Sequence, residues 1–206
     1  MKQDIILAGV GGQGIISIAF VIASAALEEG FEVKQAEVHG MSQRGGAVQS
    51  HLRLSRERIW SDLVPRGEAD LILSVEPLES LRYLDFLRPD GMIIASRAPF
   101  VNIPDYPDVE TVLSRIESIP RHLVIDSENL AKQAGSSRTQ NMVMLGAAAG
   151  ELMVREDNLK KFIGVLFARH GENIVASNLK AFALGQSAAA AAGAVSTRGR
   201  KQGGGE

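Results

Sequence analysis

The sequence predicts an α/β fold: a Rossmann-like, mostly parallel sheet with helices on both faces, one antiparallel strand and a helical C-terminal third. Short apolar runs alternate with helical periodicity along most of the chain. A glycine-rich turn follows the first run and opens a helix. The last third keeps the helical period alone.

Residues 4–8, 32–38, 69–75, 91–96 and 121–126 are short apolar runs of strand length. Between the first two, Ile15, Ile18, Ala19, Ile22 and Ala26 recur at helical spacing over residues 14–29. Residues 77–87 and 109–119 read as further helices, and 127–134 as one capped by Asp126. Residues 47–54 alternate, with Val48, Ser50, Leu52 and Leu54 on one face and Gln49, His51 and Arg53 on the other. That pattern predicts a half-exposed antiparallel strand, and its connection from residue 38 is too short for a helical crossover. Further on, residues 141–150 are small and apolar, and Leu159, Phe162, Ile163, Leu166 and Phe167 form a stripe. Gly171 ends that helix, and a last one begins near Glu172 and runs into an alanine-rich stretch at 188–194.

The 206 residues fit one domain, 1–195, followed by a Gly-rich, charged tail at 196–206 that is expected to be disordered. Lys and Arg number 22 against 24 Asp and Glu, without the basic excess of a nucleic-acid binder. No apolar run reaches the roughly 18 residues of a membrane span. The opening Met1-Lys2-Gln3-Asp4 leads straight into a strand and not into a signal peptide, so a cytoplasmic location is expected. There is no cysteine, which excludes disulfides, a thiol nucleophile, a thiolate zinc site and a cluster held by this chain. The four histidines are too scattered for a metal site, so no metal ligand and no catalytic residue is assigned.

Two loops carry the candidate chemistry. Gly9-Val10-Gly11-Gly12-Gln13-Gly14 matches G-x-G-x-x-G between a strand and a helix, where glycines permit a tight turn and bring a phosphate to a helix N-terminus. Glu37, at the end of the second strand, offers the ribose-binding acid of a nicotinamide site. The same glycines also serve simple helix–strand packing or a subunit contact. The second loop runs Glu37-Val38-His39-Gly40-Met41-Ser42-Gln43-Arg44-Gly45-Gly46. It belongs beside the first at the carboxyl ends of the strands, where open α/β sheets bind ligands. Its polar donors suit an anion or a partner surface. The candidate ligand-binding set is therefore Gly9, Gly11, Gly12, Gln13, Gly14, Ser42, Gln43, Arg44, Gly45 and Gly46, with Arg44 as the phosphate-directed cation. His51 is read as facing a partner, and His122 and His170 as structural. Glu76 and Asp126 end strands at the functional edge, and Arg138-Thr139-Gln140-Asn141 lies within reach of a ligand or partner.

These two loops, the alternating strand, Asn141-Met142-Val143-Met144-Leu145-Gly146-Ala147 and the helix carrying Asn178 and Ala181 resemble the gamma-type subunit of the 2-oxoacid:ferredoxin oxidoreductases. The likeness is strongest to the indolepyruvate branch and covers nearly the whole chain. Ser42-Gln43-Arg44-Gly45-Gly46 is its specific marker. The resemblance implies a two-plus-two complex with a large subunit that carries thiamine diphosphate, magnesium and iron–sulfur clusters. It further implies decarboxylation of an arylpyruvate, transfer of electrons singly to ferredoxin, and delivery of the acyl group to coenzyme A as co-substrate. This chain would then complete the cleft and help bind coenzyme A, without activity of its own. A gamma-type subunit for pyruvate, a branched-chain oxoacid or 2-oxoglutarate remains the alternative within the family. A free NAD(P)-binding oxidoreductase and a purely scaffolding subunit are the alternatives outside that role.

Overall fold

The computed structural model describes residues 1–39, 45–101 and 103–200. Its centre is a six-stranded sheet in the order β2-β3-β1-β4-β5-β6, formed by β1 (Lys2–Val10), β2 (Glu32–His39), β3 (Ala47–Ser55), β4 (Ala69–Ser74), β5 (Leu87–Ser96) and β6 (His122–Ile125). The pairs β1–β4, β4–β5 and β5–β6 are parallel. Only β3 opposes its neighbours, pairing antiparallel with both β1 and β2. The alternating strand expected from the sequence is thus a wedge between the first two strands of the chain.

Among the described residues seven α-helices cover the sheet: α1 (Ile15–Glu28), α2 (Pro77–Arg82), α3 (Val109–Glu117), α4 (Ser127–Ala134), α5 (Gln140–Ala148), α6 (Glu156–Phe167) and α7 (Glu172–Arg200). Every residue of β1 after Lys2 is buried, as both faces of a mostly parallel sheet are covered. Ile5 and Leu7 face a core built with α1, α4, α5, α6 and α7, and Ile6 faces a second core with α2 and α3. The side-chain period of two therefore assigns neighbouring residues of one strand to different cores.

On the first face α5 and α7 approach backbone to backbone. A Cβ on Gly146 would collide with the carbonyl oxygen of Phe182, and one on Gly185 with that of Val143. Two glycines facing each other's helix make this contact possible. α7 runs to Arg200 and contains the alanine-rich stretch at 188–194, whose helix propensity is high. Residues 201–206 lie outside the described residues. Among the described residues no helix is long and apolar enough to cross a membrane.

Two expectations are corrected. The helix expected over 77–87 stops at Arg82 and gives way to a 3₁₀ turn at Leu84–Phe86. Leu87 already pairs with Ala69, and the next pair in register is Leu71 with Met92, so β5 starts early and bulges. Nor is the second face of β3 open. His51 is only 4% exposed, and its Nδ1 accepts the Val64 N–H at 3.1 Å. The Phe86 ring meets it edge-on at 5.3 Å. Arg53 forks onto Asp4, with Nε to Oδ1 at 2.7 Å and Nη2 to Oδ2 at 3.2 Å, and its Nη1 donates to the carbonyls of Ser61 and Leu63. The polar residues of β3 thus bind the segment that follows it and draw it across the sheet. His51 is therefore internal to the domain.

Candidate functional site

α1 leaves β1 over one face of the sheet and α2 leaves β4 over the other. β1 and β4 are adjacent and parallel, with Ala8 opposite Ser74. The chain therefore diverges at their carboxyl ends, which is where open α/β sheets form a ligand crevice. The Val75 N–H donates to the Ala8 carbonyl at 3.0 Å, closing the floor of that crevice.

The first glycine loop forms one side of it. The Gln13 N–H returns to the Val10 carbonyl at 3.0 Å, and Gln13 Oε1 accepts the Val10 N–H at 2.8 Å. Gly9 has no side chain where Gln13 Oε1 and the Ile15 side chain come to rest. The Gly11 N–H donates to the Gly46 carbonyl at 2.8 Å, and the Gly45 N–H to the Gly11 carbonyl at 3.4 Å. The two loops expected to converge are thereby joined through their backbones, by extension of the β1–β3 ladder. Ser42, Gln43 and Arg44 lie outside the described residues.

Not every candidate donor faces outward. The amides of Gly11 and Gln13 are engaged inside the loops, and the Gln13 side chain braces the turn. Of the first-turn amides of α1, that of Ser17 returns to the Gly14 carbonyl, and those of Ile15 and Ile16 remain, with no intrahelical carbonyl to bond. Gly14 caps α1 in the left-handed region at φ 80°, with no side-chain cap and no acidic residue in the first turn. Its carbonyl accepts from Ser17 at 3.1 Å and Ile18 at 3.2 Å. A helix N-terminus with no carboxylate beside it keeps its full attraction for an anion. Gly12, at φ 102°, turns the chain into this position.

The opposite side of the crevice is built differently. Glu76, at the end of β4, is 1% exposed, and its Oε2 accepts the Glu79 N–H at 2.8 Å, capping α2. Glu79 is itself buried, and burial pushes its carboxyl above the ordinary range against the opposing pull of Arg82. Asp126 caps α4 through the Asn129 N–H at 3.1 Å, as its position predicts. Asn141, read only as within reach of the site, lies on the glycine loop: its Nδ2 donates to the Gly14 carbonyl at 3.3 Å. The Glu76 cluster and the Asn141 contact were not legible, because each joins segments far apart in the chain.

The second strand does not supply a ribose-binding acid in the usual place. β3 stands between β2 and β1, so Glu37 faces Ser50 and Ser50 faces Leu7. In a dinucleotide fold that acid sits on the strand next to the glycine loop. Here the Glu37 Oε1 accepts from Gln35 Nε2 at 2.7 Å.

The family profile "Pyruvate ferredoxin/flavodoxin oxidoreductase" matches residues 4–188. The chain belongs to that family. Among relatives of this oxidoreductase family, it is 34% identical over 200 residues to the indolepyruvate oxidoreductase subunit IorB of Thermococcus kodakarensis, covering 92% of this chain and 97% of the relative. Its fold is similar to the gamma subunit of a keto/oxoacid ferredoxin oxidoreductase from Geobacter sulfurreducens, at TM-score 0.67 and 26% identity, covering 92% of this chain and 99% of that one. It is also similar to the 2-oxoglutarate:ferredoxin oxidoreductase of Magnetococcus marinus, whose structure holds 2-oxoglutarate, coenzyme A and succinyl-CoA. There the TM-score is 0.74 at 27% identity over 92% of this chain, which spans 31% of that longer chain. The resemblance read from the two loops and the α/β fold both hold.

The donor set of this family member does not suit the redox groups. Iron–sulfur clusters are held by cysteine thiolates, and the sequence contains no cysteine. Among the described residues no three His, Asp or Glu side chains gather into a metal site.

Proposed function

We propose that the chain is the small subunit of a thiamine-diphosphate-dependent 2-oxoacid:ferredoxin oxidoreductase, with an arylpyruvate such as indolepyruvate as the oxoacid. Its products are the acyl-CoA, CO2 and reduced ferredoxin. Thiamine diphosphate, magnesium and the iron–sulfur clusters are carried by a large partner subunit, in a two-plus-two cytoplasmic complex. The contribution of this chain is to complete the cleft and bind coenzyme A. One observation carries that role: the uncapped N-terminus of α1, framed by the joined Gly11 and Gly46 loops at the strand divergence. A diphosphate there takes the Ile15 and Ile16 amides, with Arg44 as countercharge.

The indolepyruvate assignment is supported by relatives named for it that match nearly end to end. Those named for ketoisovalerate and 2-oxoglutarate match at 27% and 29% identity. The free dehydrogenase is disfavoured by the wedge of β3 between Glu37 and the glycine loop.

The test is steady-state kinetics on the complex purified from its native cytoplasm. Arg44→Ala, and Ile16→Glu at a position 54% exposed in the first turn of α1, are expected to raise KM for coenzyme A more than KM for the arylpyruvate. Equal effects on both would overturn the coenzyme A role. A chain that purifies alone with bound nicotinamide nucleotide would overturn the subunit reading altogether.

A further inference from the structure

Glu76 is a buried carboxylate at the divergence of β1 and β4, and it is fully committed. Besides capping α2, its Oε1 accepts the Phe100 N–H at 3.3 Å and the Tyr106 hydroxyl. Its own backbone is held by Ser74, whose Oγ donates to the Glu76 carbonyl at 2.5 Å and accepts the Glu76 N–H at 3.3 Å. One oxygen therefore ties down both Phe100 and Tyr106, near the two ends of the connection that follows β5. At the first tie and just after it the chain exposes apolar side chains, Phe100 at 44% and Val101 at 68%. The anchor point is close to the glycine loop, because Val75, the residue before Glu76, is bonded to Ala8, the residue before Gly9.

The two sides of the crevice are complementary in kind. A carboxylate neutralises the positive end of α2, whereas α1 has no acidic residue in its first turn. An anion is directed to the α1 side, and the α2 side presents the apolar side chains of Phe100 and Val101.

We propose that Glu76 is a positioning residue for coenzyme A, fixing the segment with Phe100 and Val101 as the wall against which the uncharged pantetheine arm lies while the diphosphate sits at α1. This rests on the coenzyme A reading above. Glu76 touches no substrate and acts through Phe100 and Tyr106. Burial and the bond to Glu76 push the Tyr106 phenol well above its ordinary range, so it donates to the carboxylate at any working pH.

The experiment measures KM and kcat in the purified complex, with coenzyme A and with pantetheine, which lacks the phosphates, as alternative acyl acceptors. Tyr106→Phe removes one hydrogen bond to Glu76 and is expected to raise KM for both acceptors about fivefold, with kcat and KM for the oxoacid within about twofold. Phe100→Ser is expected to act in the same direction on both acceptors. Glu76→Ala is the severe variant, expected to exceed either. Should it fail to assemble, Tyr106→Phe and Phe100→Ser decide alone. Unchanged KM for both acceptors in those two variants, or a loss confined to kcat, overturns the proposal. Ile16→Glu separates the two levels. If it raises KM for coenzyme A while Tyr106→Phe does not, only the role of Glu76 falls. If neither variant moves KM for coenzyme A, the coenzyme A reading falls with it.

Discussion

The Asn141 side chain donates to the carbonyl oxygen of Gly14 at 3.3 Å, joining the start of α5 to the cap of α1 across 127 residues of sequence. The fit is close enough that a Cβ on Gly14 would overlap the Asn141 amide. Gly14 also sits at φ 80°, where side-chain-bearing residues are strained. Gly14→Ala is therefore expected to lower unfolding stability by about 2–3 kcal/mol, from steric overlap plus backbone strain. Gly14→Ala/Asn141→Ala is expected to recover the overlap share alone, so the pair is non-additive. Urea unfolding of both single variants and the double variant checks this, and simple additivity would contradict it.

A second prediction concerns the α5–α7 contact. Replacing a helical glycine by alanine ordinarily favours the helix by about 1 kcal/mol. At Gly146 and Gly185 the new methyl meets a carbonyl oxygen of the opposite helix, which has no room to move without separating the pair. Overpacking wins, and either substitution is expected to cost about 1–3 kcal/mol net. Chemical denaturation should show lower midpoints for both, and a stabilised Gly146→Ala would contradict the packing described.

The buried Asp4–Arg53 pair gives a third. Asp4 is fully buried, and Arg53 also holds the carbonyls of Ser61 and Leu63. Arg53→Met leaves Asp4 buried with only the Lys2 ammonium at 2.8 Å. Removing one partner of such a pair costs about 3–5 kcal/mol in closed interiors, and toward the low end here because Lys2 remains. Limited proteolysis should cut the variant within residues 56–64 faster than the parent. Asp4→Asn/Arg53→Met should lose less than the sum of the single changes.

His51 supplies a pH dependence. Burial, and then the nearby Arg53 charge, hold its pKa below the ordinary 6.5. Its Nδ1 accepts the Val64 N–H, so a proton added to that nitrogen would break the bond. The unfolded chain takes up a proton near the ordinary value while the folded one resists. The contribution to stability is present above that value and is lost as pH falls through the depressed folded one. Urea midpoints between about pH 7.5 and about pH 5 should fall further for the parent than for His51→Gln. Equal slopes would mean that His51 is free to ionise in the fold.

Much of the fold was legible because its signals are local. The apolar runs that became β1, β4 and β6 and the caps at Gly14 and Asp126 follow from adjacent residues. What misled was the polar face of β3. Alternation cannot distinguish side chains pointing to water from side chains binding the next loop, and Arg53 and His51 do the latter. The site was half legible for the same reason. Its glycines announce a turn, but which amides stay open depends on the Gly11–Gly46 pairing. The Glu76 anchor needs Phe100 and Tyr106 brought back from beyond β5.

The Gly11–Gly46 bond has one more consequence. The Gly11 amide proton is protected only while Gly46 is in register, and Gly46 is where the chain arriving from residues 40–44 joins β3. In a hydrogen-exchange experiment that single proton should report on whether the two glycine segments stay joined, exchanging faster whenever the Gly11–Gly46 pair opens.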